Sequence, residues 1–97
     1  MPALRFEWDE RKSRSNQRKH RVSFEEAQTV FLDENALEFS DPDHSREEDR
    51  FLMLGMSARL RLLGVSYCYR SRSSTIRIIS VRRATKRETA TYAGENT

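Results

Sequence analysis

The run Thr75-Ile76-Arg77-Ile78-Ile79-Ser80-Val81 constrains this chain more than any other segment. Its β-branched residues suit a pleated backbone. Apolar side chains fall on both faces, so the strand needs cover on both sides and belongs in the middle of a sheet. Neighbours for it are close at hand. Leu60–Arg70 places Leu63, Val65, Tyr67 and Tyr69 on one face at period two. Arg50–Met56 is apolar, and Asn35–Ser40 carries Leu37 and Phe39 before Asp41-Pro42-Asp43 ends it. Ser57-Ala58-Arg59 and Ser71-Arg72-Ser73-Ser74 supply turns between the later strands. Connections this short favour an antiparallel meander.

The helices come mostly before the sheet. Leu4-Arg5-Phe6-Glu7-Trp8 alternates apolar and charged residues and predicts a short first strand. Asp9 then caps a helix over Glu10–Lys19, which holds no apolar residue and therefore no core stripe of its own. Ser23 and Glu26 have the spacing of a capping box, with Val22 as the staple residue. Phe24, Ala27, Val30 and Phe31 line one face of the helix that follows, which should pack on the sheet. Thr85 caps a last short helix, Lys86–Ala93, and residues 94–97 read as a frayed tail. The expected fold is a single α+β domain over residues 1–97: a small antiparallel β-sheet with N-terminal helices packed on one face and a short C-terminal helix.

At 97 residues the chain is too short for a doubly wound or barrel cofactor enzyme, and its 3 glycines make no phosphate-cradling loop. No cofactor is expected. The lone Cys68 rules out a disulfide framework and Cys-rich zinc patterns. His20 and His44 are the only histidines and lack the spacing of a metal set, so no metal site is expected. No apolar run approaches membrane-spanning length and no leader is visible, which predicts a soluble, cytoplasmic protein without membrane contact.

Charge is both abundant and segregated. Charged residues make up 34% of the chain and hydrophobic ones only 36%. Residues 1–21 sum to +4, residues 22–49 to −9 and residues 50–97 to +8. Fifteen of the 18 basic residues are arginine, whose planar fork matches phosphate and carboxylate oxygens. Two basic zones around an acidic centre suggest a polyanion-binding face.

Phosphodiester chemistry without a metal fits these residues better than a metal site or a side-chain nucleophile. RNA carries its own nucleophile, the 2′-hydroxyl, so a protein need only orient it, move its proton and neutralise the phosphorane. Arg77, Arg82 and Arg83 stand along the central strand and at its end, with Arg61 at the start of its neighbour. His44 in its polar loop and His20 at the end of the first helix are the acid–base candidates. Each has a plainer reading as an ordinary loop or helix-end residue. Trp8 is either a core lid or a stacking platform for a base. With Lys12 and Lys19 it is a candidate RNA contact.

Several strings in order resemble the BrnT toxin family: Phe6-Glu7-Trp8-Asp9, Asn16-Gln17-Arg18-Lys19-His20, Val22 through Ala27, Val30-Phe31-Leu32-Asp33, Asp43-His44-Ser45, Gly55-Met56-Ser57, and Ile76 through Thr85 with Glu88 and Tyr92. Two departures stand out. Arg21 and Leu60 occupy positions where many members have glycine, which allows a left-handed turn. Gly64, conversely, stands where many have an apolar residue. The resemblance implies a RelE-like fold and a ribonuclease toxin of a type II toxin–antitoxin system, one that cleaves RNA and stops translation; with no metal set among the residues, the expected enzyme is a metal-independent endoribonuclease. It also implies a BrnA-like antitoxin, usually two toxins with two antitoxins, with DNA reached only through the antitoxin. The alternative is a non-catalytic basic module that binds nucleic acid or a protein partner.

Overall fold

The structure, a computed structural model, describes residues 4–44, 48–70 and 74–94. Five strands form one sheet in the order β1-β5-β4-β3-β2. They are β1 (Arg5–Glu7), β2 (Leu37–Ser40), β3 (Arg50–Met56), β4 (Leu62–Arg70) and β5 (Thr75–Arg83). The helices are α1 (Glu10–His20), α2 (Phe24–Thr29), extended by a 3₁₀ turn over Val30–Leu32, and α3 (Lys86–Tyr92). The expected α+β architecture is present. Central strands β3, β4 and β5 pair antiparallel, whereas β1 adds to β5 in parallel. Parallel addition follows from the two helices between β1 and the meander, which return the chain to the far edge of the sheet. The Ser71–Ser74 turn and the loop after His44 fall partly, and the tail mostly, outside the described residues.

Period two sorts the strands into two faces. Ile76, Ile78, Val81, Leu63, Val65 and Tyr67 are buried against Val22, Phe24, Ala27 and Val30. Each fully buried side chain of this size contributes about 1.5–3 kcal/mol. Aromatic contacts continue the core toward β3: Phe6 meets Phe31, Phe31 meets Tyr67, and Tyr67 meets Phe51. The opposite face carries Arg77, Ser80, Arg82, Ser66 and Arg50. Here α3 packs against β3, and Pro42–His44 crosses as a 3₁₀ turn.

Three local outcomes differ from the sequence expectation. First, α1 does have a buried stripe, made of Ser13 and Asn16. Asn16 donates to the Val22 and Val81 carbonyls at 3.0 and 2.9 Å and accepts from the Val81 N–H at 3.0 Å. It acts as a one-residue strand on the edge of β5 beyond the end of β1, satisfying groups that would otherwise be orphaned. Second, only half of the expected capping box forms at α2. The Ser23 hydroxyl accepts from the Glu26 N–H, but the Glu26 side chain turns away to Ser57 and Arg61. Third, Arg21 and Leu60 keep the left-handed backbone, with φ of 60° and 62°.

Left-handed backbone costs a non-glycine residue roughly 1–2 kcal/mol. The Leu60 side chain is 82% exposed and recovers little of that by packing. Leu60→Gly should therefore raise the melting temperature, by an amount corresponding to about 0.5–1 kcal/mol once the added unfolded-state freedom is counted. A thermal melt showing a loss would mean that Leu60 makes a compensating contact.

Candidate active site

The open sheet face is built around β5. A register shift between Ser66 and Tyr67 leaves Ile79 as an extra residue, since Ser66 pairs with Ser80 and Tyr67 with Ile78. Such a bulge re-aims side chains, and bulges are over-represented beside active sites. Two clefts meet at it. One, of about 250 Å³, is lined by Asp41, His44, Arg50, Ser66, Ile79 and Ser80. The other, of about 180 Å³, is lined by Lys12, Ser15, Asn16, Lys19, His20, Ile79 and Ser80. Residues far apart in sequence, His44, His20, Lys12 and Lys19, are thus gathered around one short stretch of strand.

His44 sits beside a carboxylate. Its Nδ1 lies 3.1 Å from both oxygens of Asp41. A carboxylate accepts, so the neutral imidazole carries its proton on Nδ1 and leaves Nε2 as the basic atom. The contact is local, an i,i+3 pair formed as the Pro42–His44 turn brings His44 back over Asp41, and it keeps His44 as an acid–base candidate.

The arginines separate into three environments. Arg77 reaches Glu7 of β1 at 3.0 Å, and Arg70 approaches the same oxygen at 3.6 Å. Arg82 forms two parallel bonds to Glu88 of α3, at 2.8 and 3.0 Å. These bonds hold the Glu88 carboxyl below the ordinary glutamate range. Glu88 also accepts from the Thr85 N–H at 2.9 Å, completing a capping box, so Arg82 is tied to the start of α3. Gly64 makes room for this: a Cβ there would lie 3.1 Å from the Arg82 Nη1. Arg83 ends the strand exposed, and its pairing with core-facing Leu63 turns it to the helix side, away from Arg77 and Arg82.

Arg61 is not brought to this face. Its guanidinium lies on the helix side, bonded to Glu26 and to the Arg21 carbonyl. The sequence suggested that Arg61 and Arg82 might share a sheet end, and they do, but on opposite faces. Arg61 is a strap between β4, α2 and the end of α1. Trp8 packs edge-on against Phe24 at 6.0 Å and donates to Glu10 at 3.2 Å. That is the lid arrangement rather than an open stacking platform. Cys68 is buried in mid-strand, and burial pushes its thiol up and out of reactive range. Among the described residues no three His, Cys, Asp or Glu side chains converge as a metal set, and no helix is long and apolar enough to cross a membrane.

A family model described as "Ribonuclease toxin, BrnT, of type II toxin-antitoxin system" matches residues 8–88. The chain belongs to the BrnT family of ribonuclease toxins. The crystal structure of the Brucella abortus ribonuclease toxin BrnT has the same fold, with a TM-score of 0.64 at 23% identity over 87% of this chain and 100% of that one. No curated protein sequence matches the chain. Membership of a type II toxin–antitoxin family implies an RNA target and a cognate antitoxin. Asn16 and Ser80 escaped the reading of the sequence as site residues. Asn16 was detectable as the central polar residue of a helix with no apolar side chain.

Proposed function

We propose that this BrnT-family chain is a metal-independent endoribonuclease that cleaves RNA by attack of its 2′-hydroxyl and thereby inhibits translation in the cytoplasm. The observation that carries the reading is the Asp41–His44 pair set over Ser66 and Ser80, with the open-face arginines on the same side of the sheet. In this mechanism His44 Nε2 takes the 2′-hydroxyl proton. The 2′-oxygen bonds to phosphorus, and the bond from phosphorus to the 5′-oxygen breaks. The imidazolium so formed returns the proton to the leaving oxygen, directly or through water. Arg77 and Arg82 neutralise the phosphorane. Arg82, whose two terminal nitrogens both go to Glu88, exchanges that carboxylate for the phosphate, whereas Arg77, bonded to Glu7 through Nη1 alone, has further N–H groups to offer.

The partner side of the proposal follows from charge. A cognate antitoxin of the BrnA type, two copies with two toxins, covers the basic face with acidic or apolar residues and carries the DNA contact. A non-catalytic basic module is the second reading, favoured by one fact: the guanidiniums of Arg77 and Arg82 are already held by carboxylates.

The experiment is cleavage of a defined RNA followed by end analysis. The expected products carry a 2′,3′-cyclic phosphate and a 5′-hydroxyl, DNA of the same sequence stays intact, and chelator changes nothing. A 5′-phosphate product, or a need for added divalent cation, overturns the mechanism. Binding without cleavage supports the second reading.

A further inference from the structure

We propose that the cleft on α1 is a subsite for a non-scissile phosphate of single-stranded RNA, so that the strand crosses the β5 edge over Ile79 and Ser80. The proposal rests on the preceding reading and adds the path of the substrate.

The lining supplies the first argument. Lys12 and Lys19 bring two ammonium groups, Ser15 a hydroxyl and His20 an imidazole, and no lining residue is acidic. The chain has only three lysines among 18 basic residues, and two of them line this one cleft. A lysine is a compact point charge on a flexible stem. It suits a phosphate that must be held but not aligned for reaction, whereas arginine forks suit the fixed geometry of the scissile group.

Position supplies the second. Lys12, Asn16 and Lys19 stand at i, i+4 and i+7, one stripe of the helix. Asn16 is locked to both the N–H and the C=O of Val81. The lysines therefore flank an anchor and are held in register with the strand. A helix with no apolar side chain is fixed in place by that polar clasp, which leaves its charges available.

Continuity supplies the third. Both clefts share Ile79 and Ser80 and lie to either side of them. Neighbouring strands are about 4.8 Å apart, so crossing one strand is on the order of one nucleotide step. The bulged, half-exposed Ile79 offers apolar surface between the two charged clefts, where a ribose or base would pass.

The test uses the full chain with Lys12→Ala and Lys19→Ala together, a dinucleotide with one phosphodiester bond, and a hexanucleotide containing the same step. Both lysines are exposed, and a melt confirms folding. The unaltered protein is expected to prefer the hexanucleotide in kcat/KM, and the double variant to lose about tenfold of that preference. For one or two phosphates, the slope of log affinity against log salt on single-stranded RNA should shrink by about 0.7–1.4. Lys12→Arg with Lys19→Arg should restore both. Unchanged preference and slope overturn the subsite. Unchanged RNA behaviour with weakened antitoxin capture also overturns it, and assigns the cleft to an acidic protein segment. If the unaltered protein cleaves neither substrate, the catalytic reading fails, and the salt slope alone still decides the subsite.

Discussion

His44→Ala is expected to lower RNA cleavage by about 10²–10⁴-fold, the scale of losing a positioned acid–base group. The side chain is two-thirds exposed, so the fold should not register the change. Asp41→Asn should give a smaller loss of the same kind. An amide at that position can present its NH₂ to Nδ1 and leave the proton on Nε2, the wrong tautomer for a base. Single-turnover cleavage of a short RNA, with melting curves alongside, separates this from misfolding. The competing candidate is His20. If His20→Ala costs more than His44→Ala, the acid–base role moves to α1 and the subsite proposed there must be re-read. Restoration of His44→Ala by added imidazole would tie the loss to the missing ring.

How much of this was legible in the sequence depends on the range over which each feature is determined. The inner strand β5, which lies next to the middle strand β4, the Tyr67 face of β4, the Asp9 and Thr85 caps and the α+β class are encoded locally, by periodicity and cap chemistry. The pairing of β1 with β5 was not, because a three-residue strand carries no signal for its partner. Glu26 shows how a local motif loses to a tertiary one. Ser23-x-x-Glu26 is written as a capping box, yet a buried carboxylate gains more from the Arg61 fork and the Ser57 hydroxyl than from one backbone N–H at a helix start. Arg21 and Leu60 show the converse. Their left-handed backbone persists with unfavourable residues because flanking contacts hold both turns: the Arg21 N–H bonds to Gln17, and the Leu60 N–H to Ser57. At the site, residue types were readable and grouping was not. Histidines and lysines drawn from α1 and from the turn after β2 meet only because β5 lies between them.

The largest effect on folding is expected at a residue the sequence suggested for catalysis. Arg61→Ala should destabilise the protein by about 3–5 kcal/mol, because it strands a buried carboxylate. The Glu26 side chain is 4% exposed and that of Arg61 23%. Arg61, then Ser57, hold the Glu26 carboxyl below its ordinary value of 4.5. A depressed carboxylate contributes stability above the unfolded-state pKa and loses it as pH falls through the folded one. The deficit of Arg61→Ala should accordingly be full at neutral pH and narrow under acid, where Glu26 is neutral in either protein. Denaturant midpoints measured from pH 7 down to pH 3 would show the two curves converging. Replacing both partners, Glu26→Met with Arg61→Met, should recover most of the loss, since the penalty comes from leaving one charge unpaired in the interior. A deficit independent of pH, or a double variant no better than the single, would mean that Arg61 stabilises mainly by packing its stem. Cleavage assayed on the refolded double variant then gives the functional answer. If Arg61 only straps β4 to α2, activity survives with the fold. If activity is lost while the fold is kept, Arg61 returns to the list of groups that meet the RNA.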